Sequence, residues 1–159
     1  MSEGQALVHS VVIHAPVHLV WHAWTISSRV TEWFAPQAIV EAREGGPYEL
    51  YFIPGNTRTM NTSGCKVVKL IAEQELQFTW KAPDQFAAIM NDESHLTVVK
   101  VNLKEIDGES TEVTVEHTGF QDHPAWREAV QWHDTAWFGV LNSLKSAMEN
   151  GQGELCCKP

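Results

Sequence analysis

The stretch DHPAWREAVQWHDTAWFGVLNSLKSAMENG, residues 122–151, decides the fold. Asp122, His123 and Pro124 open a helix, and Gly151 closes it. Between them Trp126, Val130, His133, Trp137, Leu141, Leu144 and Met148 recur at three- and four-residue steps. That spacing puts all seven on one face. At ~1.5 Å per residue such a helix is ~37 Å long, enough to cross a whole small domain. A stripe that continuous needs an apolar surface of matching length to cover it.

The rest of the chain supplies that surface as strands. Residues 7–14 read as a first strand, stopped at Ala15-Pro16. Pro16 suits the first turn of a helix, where its missing N–H costs nothing. Val17, Val20, Trp21 and Trp24 then recur at helical spacing. Ser28 is placed to cap a second short helix carrying Val30, Trp33 and Phe34. Beyond Pro36 the period changes to two. Residues 38–43, 48–53, 59–70, 76–80, 96–105 and 111–118 are the predicted strands, separated by turn signals at Gly45-Gly46-Pro47, Pro54-Gly55-Asn56 and Asp107-Gly108. Gly64 predicts a bulge or bend inside 59–70. Residues 83–93 have no period and read as a loop.

Short turns between consecutive strands make the sheet antiparallel. The expectation is one α+β domain over residues 1–151, with residues 152–159 a disordered tail. A curved antiparallel sheet of six to seven strands wraps the long C-terminal helix, and two short helices follow the first strand. A curved sheet held off a helix at one end leaves a cavity.

Composition narrows the function classes. Twenty acidic against eleven basic residues give a formal charge of −9. Nucleic-acid binders need clustered Lys and Arg, and anionic membranes attract the same cations, so neither partner is expected. No segment carries the ~20 apolar residues that span a bilayer. The N-terminus has no basic cap and no apolar run of a secretory signal. Cys65, Cys156 and Cys157 form no disulfide framework, which suits a reducing cytoplasm.

Seven tryptophans mark either a very full core or an aromatic-lined cavity, and composition does not separate the two. Trp24, Phe34, Phe52 and Trp80 are the candidate cavity wall, with Met60 as an adaptable addition. Trp137 reads as the anchor of helix to sheet. His117, on the last strand, and His133, on the long helix, interrupt otherwise apolar faces. They are either polar handles for a ligand or an acid–base pair. Otherwise they are buried imidazoles satisfied by structural hydrogen bonds. His18 and His22 share a helix flank, but His14 falls before Pro16 and no third ligand is placed, so no metal site is expected. No phosphate loop or Ser-His-Asp order is present, and no cofactor is expected.

Four motifs in order also carry a family resemblance. They are Trp33-Phe34 with Gly45-Gly46 before an aromatic strand; Gly64, Val67 and Leu70 with Leu76, Phe78, Thr79 and Trp80; Gly108 through His117 to Gly119-Phe120; and His133, Trp137, Leu141 and Leu144. Together they resemble the activator of 90-kDa heat-shock-protein ATPase homologues, within the START and birch-pollen-allergen superfamily, over roughly residues 7–148. The resemblance implies the helix-grip fold. Three function classes stay open: binding of a small hydrophobic or aromatic ligand, a cyclase-, dehydratase- or hydrolase-type enzyme using a pocket histidine, or a module that stimulates a chaperone ATPase. The family's members include carriers, cyclases or aromatases, and chaperone-binding domains. A homodimer is compatible with all three. Ala136 stands where the family usually has Gly before Trp137.

Overall fold

The computed structural model describes residues 6–53 and 56–150, with the side chains of 56–60 excepted. Alternation in the sequence becomes eight strands: β1 (Leu7–Ile13), β2 (Gln37–Val40), β3 (Tyr48–Ile53), β4 (Asn56–Asn61), β5 (Val67–Ile71), β6 (Glu75–Trp80), β7 (Thr97–Asp107) and β8 (Ser110–Thr118). The helices are α1 (Val17–Thr25), α2 (Ser27–Val30), α3 (Ala87–Met90) and α4 (Arg127–Asn150).

The strands form two antiparallel sheets. One has the order β1-β8-β7-β6-β5 and the other β2-β3-β4. The single curved sheet expected from sequence is thus divided. A bridge between Pro47 and Lys66 joins the parts, with Gly45 N–H donating to the Val67 carbonyl at 2.8 Å. The division comes from residues 59–70, which are not one strand. Gly64 sits at φ +88°, a left-handed conformation that costs glycine nothing, and turns the chain between β4 and β5. Its N–H donates to Glu49 Oε2 at 2.8 Å, which holds the turn against β3.

Period-two patterning then sorts the faces. Val99, Val101 and Leu103 of β7, Val113, Val115 and His117 of β8, and Leu76, Phe78 and Trp80 of β6 all point inward and are buried. On the outer face Lys100 lies opposite Glu116, and Lys104 opposite Glu112. The long helix begins later than expected, because Pro124–Trp126 form a 3-10 turn ahead of α4. The α4 stripe covers the inner face, and Val130, His133, Trp137, Leu141 and Leu144 are buried with Trp126. Helix α4 also runs along the open edge of β1. Lys145 Nζ donates to the Val12 carbonyl at 2.7 Å, and Glu149 Oε2 accepts the His14 N–H at 2.8 Å. An edge capped in this way is closed to further strand pairing there.

Two local expectations change. Ser28 lies inside α2 instead of capping it, because Ile26 holds the extended cap position. The neighbouring Ser27 is used differently: its hydroxyl accepts the Val40 N–H at 2.9 Å and donates to the Val40 carbonyl, tying α2 to β2. Residues 83–93 are partly helical, with a 3-10 turn at Asp84–Phe86 running into α3. Phe86 and Met90 are buried there, which a sequence window without periodicity does not reveal. Gly151 and the tail, including Cys156 and Cys157, lie outside the described residues. Among the described residues no helix is long and apolar enough to cross a membrane.

Candidate functional site

A cavity of about 200 Å³ opens where the sheet and α4 diverge. Its walls come from four places in the chain. Phe34 follows α2, Phe52 comes from β3, Trp80 ends β6, and α4 contributes Trp132, His133, Ala136, Trp137 and Val140. Asn61, Lys81, Ala82 and Pro83 complete the rim. The spacing on α4 explains its share: positions 133, 136, 137 and 140 lie on one flank of a helix.

The aromatic rings brace one another. Phe34 stacks near Trp80, with centroids 6.1 Å apart and planes 19° from parallel. Trp137 stands 5.9 Å from Phe34 and 5.6 Å from Trp80. Phe52 meets Phe34 edge-on at 6.3 Å. Such offset and edge contacts are the favourable aromatic geometries. Beyond Trp132 and Ala136 lies an open groove of about 480 Å³ lined also by Glu128, Gln131 and Thr135. Trp132, 38 % exposed, therefore stands between the cavity and the surface.

The two histidines sit in matching indole–imidazole pairs. Trp80 Nε1–H donates to His133 Nε2 at 3.1 Å, so His133 carries its proton on Nδ1 and donates to the Ala129 carbonyl at 2.8 Å. Trp137 Nε1–H donates to His117 Nδ1 at 2.9 Å, so His117 carries its proton on Nε2 and donates to Thr97 Oγ1 at 2.8 Å. Gly119, at φ +100°, lets the chain close onto Thr97; an added Cβ would lie 3.2 Å from Thr97 Cα. Both rings are buried and neutral, and every ring nitrogen has a partner. Burial pushes the His117 pKa well below its usual value, and the neighbouring His133 adds to this. Burial also lowers His133, partly opposed by its bond to Ala129.

At the rim, Lys81 donates from Nζ to the Ser63 carbonyl at 2.6 Å and pairs with the Glu93 carboxylate. Asn61 Oδ1 accepts the Ser63 N–H at 3.0 Å. These contacts fix the β4–β5 turn across the cavity mouth.

The sequence candidates thus separate. Phe34, Phe52, Trp80, His133 and Trp137 meet at the cavity. Trp24 does not: it is fully buried near the end of α1, 4.7 Å from Trp33, and its carbonyl accepts the Tyr48 hydroxyl. His117 lies behind Trp137, away from the wall. The Met60 side chain falls outside the described residues. Trp132, Ala136 and Val140 were not among those candidates, although helical spacing beside His133 and Trp137 is the signal that finds them. Asn61 had no signal, because the parity of 59–70 is broken at Gly64. His18 and His22 stand 6.2 Å apart edge-to-face, and among the described residues no cluster of three metal-ligating side chains forms.

No curated protein matches the chain. Solved structures of similar shape are numerous. A protein from Mesorhizobium loti superposes with a TM-score of 0.73 at 18% identity, covering 92% of this chain and 98% of that one. The Aha1 dimer from Colwellia psychrerythraea gives 0.70 at 20%, covering 94% and 99%. An HSP90 activator from Plasmodium falciparum gives 0.68 at 14%, covering 93% and 97%. These likenesses carry the fold. The sequence pattern of one family matches residues 14–149, so the chain belongs to the family described as activator of Hsp90 ATPase homolog 1-like protein.

Proposed function

We propose that this protein binds a small apolar or aromatic molecule in the cavity between α4, β6 and Phe34. The observation that carries the reading is a void of about 200 Å³ walled by five aromatic rings. Protein interiors pack as densely as organic crystals, with few voids larger than a water molecule. A space of this size, apolar and partly open to a groove, is the ordinary form of a small-molecule site. The histidines support binding over acid–base chemistry. Taking a proton breaks an indole hydrogen bond in either imidazole, and giving one breaks the bond to the Ala129 carbonyl or to Thr97. A reducing cytoplasm suits the buried, unpaired Cys65, whose thiol burial pushes up to about 11.

Ala136 lies on both the cavity and the groove, so Ala136→Trp fills the space directly. Native mass spectrometry of freshly purified wild type is expected to show a small-molecule adduct. The variant loses the adduct and keeps its urea midpoint. A bare chain from both preparations sinks the reading.

The family description and the surface of α4 favour a second reading, a module acting on a chaperone ATPase. Phe138 is 66 % exposed on that helix, where its ring is available for contact with a partner. Here wild type raises the ATPase rate of a purified 90-kDa heat-shock protein, and Phe138→Ser loses much of the effect. An unchanged rate with wild type removes this reading. The dimeric description of the Colwellia psychrerythraea relative supports self-association through a similar chain.

A further inference from the structure

We infer that the occupant is an uncharged, fused two-ring aromatic molecule with no hydrogen-bonding group on its inner end. The inference rests on the cavity being a binding site, and it follows from how the polar groups of Trp80, His133 and Trp137 are spent. The Trp80 indole donates to His133, and both His133 nitrogens are engaged. The Trp137 indole donates to His117. The Lys81 ammonium is held by the Ser63 carbonyl and the Glu93 carboxylate. Asn61 Oδ1 accepts the Ser63 N–H. A ligand donor or acceptor placed against Trp80, His133 and Trp137 meets no open side-chain partner there, and a buried polar group without a partner is costly. Among the described residues, Trp132 is the one lining indole that makes no hydrogen bond to protein, and it stands at the mouth.

Volume sets the size. An apolar cavity of about 150 Å³ stays dry and admits benzene. About 200 Å³ admits one further fused ring. Wall stiffness sets the shape. Phe34, Phe52, Trp80, Trp132 and Trp137 are flat and rigid, and edge or offset contacts to a flat ligand reproduce those the rings already make with one another. A flexible acyl chain gains less from such walls and needs more length than the space provides. Charge is excluded from both sides. Among the described residues, Lys81 is the one cation lining the cavity and is paired with Glu93, and no carboxylate lines it to hold a ligand cation.

Indene, indole and benzimidazole have the same shape and differ in polar atoms, so they separate size from polarity. Isothermal titration calorimetry of the full chain with each is the test, with Ala136→Trp as the blocked control. The expected order is indene first, indole about tenfold weaker and benzimidazole weaker again by a similar factor. The control binds none of them. Indole or benzimidazole binding tighter than indene overturns the inference, since the wall would then hold an open partner. So does tighter binding of trimethylphenylammonium, which would make the rings a cation cage. Both of those outcomes leave the cavity a binding site. No heat with any of the four compounds overturns the proposed binding function itself.

Discussion

Replacing Trp137 by Ala is expected to lower the free energy of unfolding by about 3–5 kcal/mol, the usual cost of truncating a buried aromatic side chain to Ala. Trp137 is 2 % exposed on the middle of α4. Its ring contacts Phe34 from the α2 side and Trp80 from β6, so one side chain joins helix, sheet and the segment after α2. Its N–H also satisfies His117, which has no water to turn to at zero exposure. Truncation therefore opens a hole beside an existing cavity and orphans a buried acceptor. A change of ~1 kcal/mol moves the melting temperature of a domain this size by ~2–4 °C, so a fall on the order of 10 °C is expected. Trp137→Phe separates the two causes. It keeps most of the ring but leaves His117 Nδ1 without its donor, at a cost of ~1–3 kcal/mol. Urea denaturation of both variants is the measurement. A loss under ~1 kcal/mol for Trp137→Ala would mean that the ring is not the anchor the geometry describes.

The centrality of Trp137 was legible in the sequence, because a 3.6-residue period over a long helix survives any local irregularity. The same holds for the inward faces of β6, β7 and β8, where alternation is unbroken. The division into two sheets was not legible. It depends on Gly64 taking a left-handed conformation and on Pro47 pairing with Lys66, and neither leaves a periodic trace. The helical turns at 84–90 were missed because each is a single turn, too short for periodicity to register. Trp24 and Phe34 looked alike as apolar residues on neighbouring short helices. Only the fold separates them, turning Phe34 to the cavity and Trp24 to Trp33. The histidines show a similar limit. Their apolar faces announced burial, but the indole partners of His117 and His133 lie 20 and 53 residues away in sequence.

Those partners set the pH dependence of stability. His117 is held neutral in the fold, with its pKa well below the ordinary value because of burial and then His133. In the unfolded chain it titrates normally, near ~6.5. Above that pH neither state binds the proton and His117 contributes no pH dependence. Below it the unfolded state binds a proton that the folded state refuses, so unfolding becomes more favourable as pH falls. The loss continues until the folded pKa is reached. The slope approaches ~1.4 kcal/mol per pH unit for one proton, which amounts to ~2 kcal/mol between pH 7.5 and 5 for a group that stays neutral throughout. His133, lowered by burial, adds in the same direction over a narrower window. The carboxylates with shifted titration lie below this range. Glu75 and Glu149 are lowered, by the Gln77 and Lys145 hydrogen bonds first, so their stabilisation is lost only below the ordinary value of 4.5. His117→Asn supplies the comparison, because Asn Oδ1 can accept the Trp137 N–H where Nδ1 did and does not titrate. Urea unfolding of both proteins from pH 8 to 5 should give curves that converge as pH falls, the wild type losing ~2 kcal/mol more than the variant. Curves that stay parallel would show His117 taking up a proton in the folded protein. Its bonds to Trp137 and Thr97 would then not hold it in the neutral form.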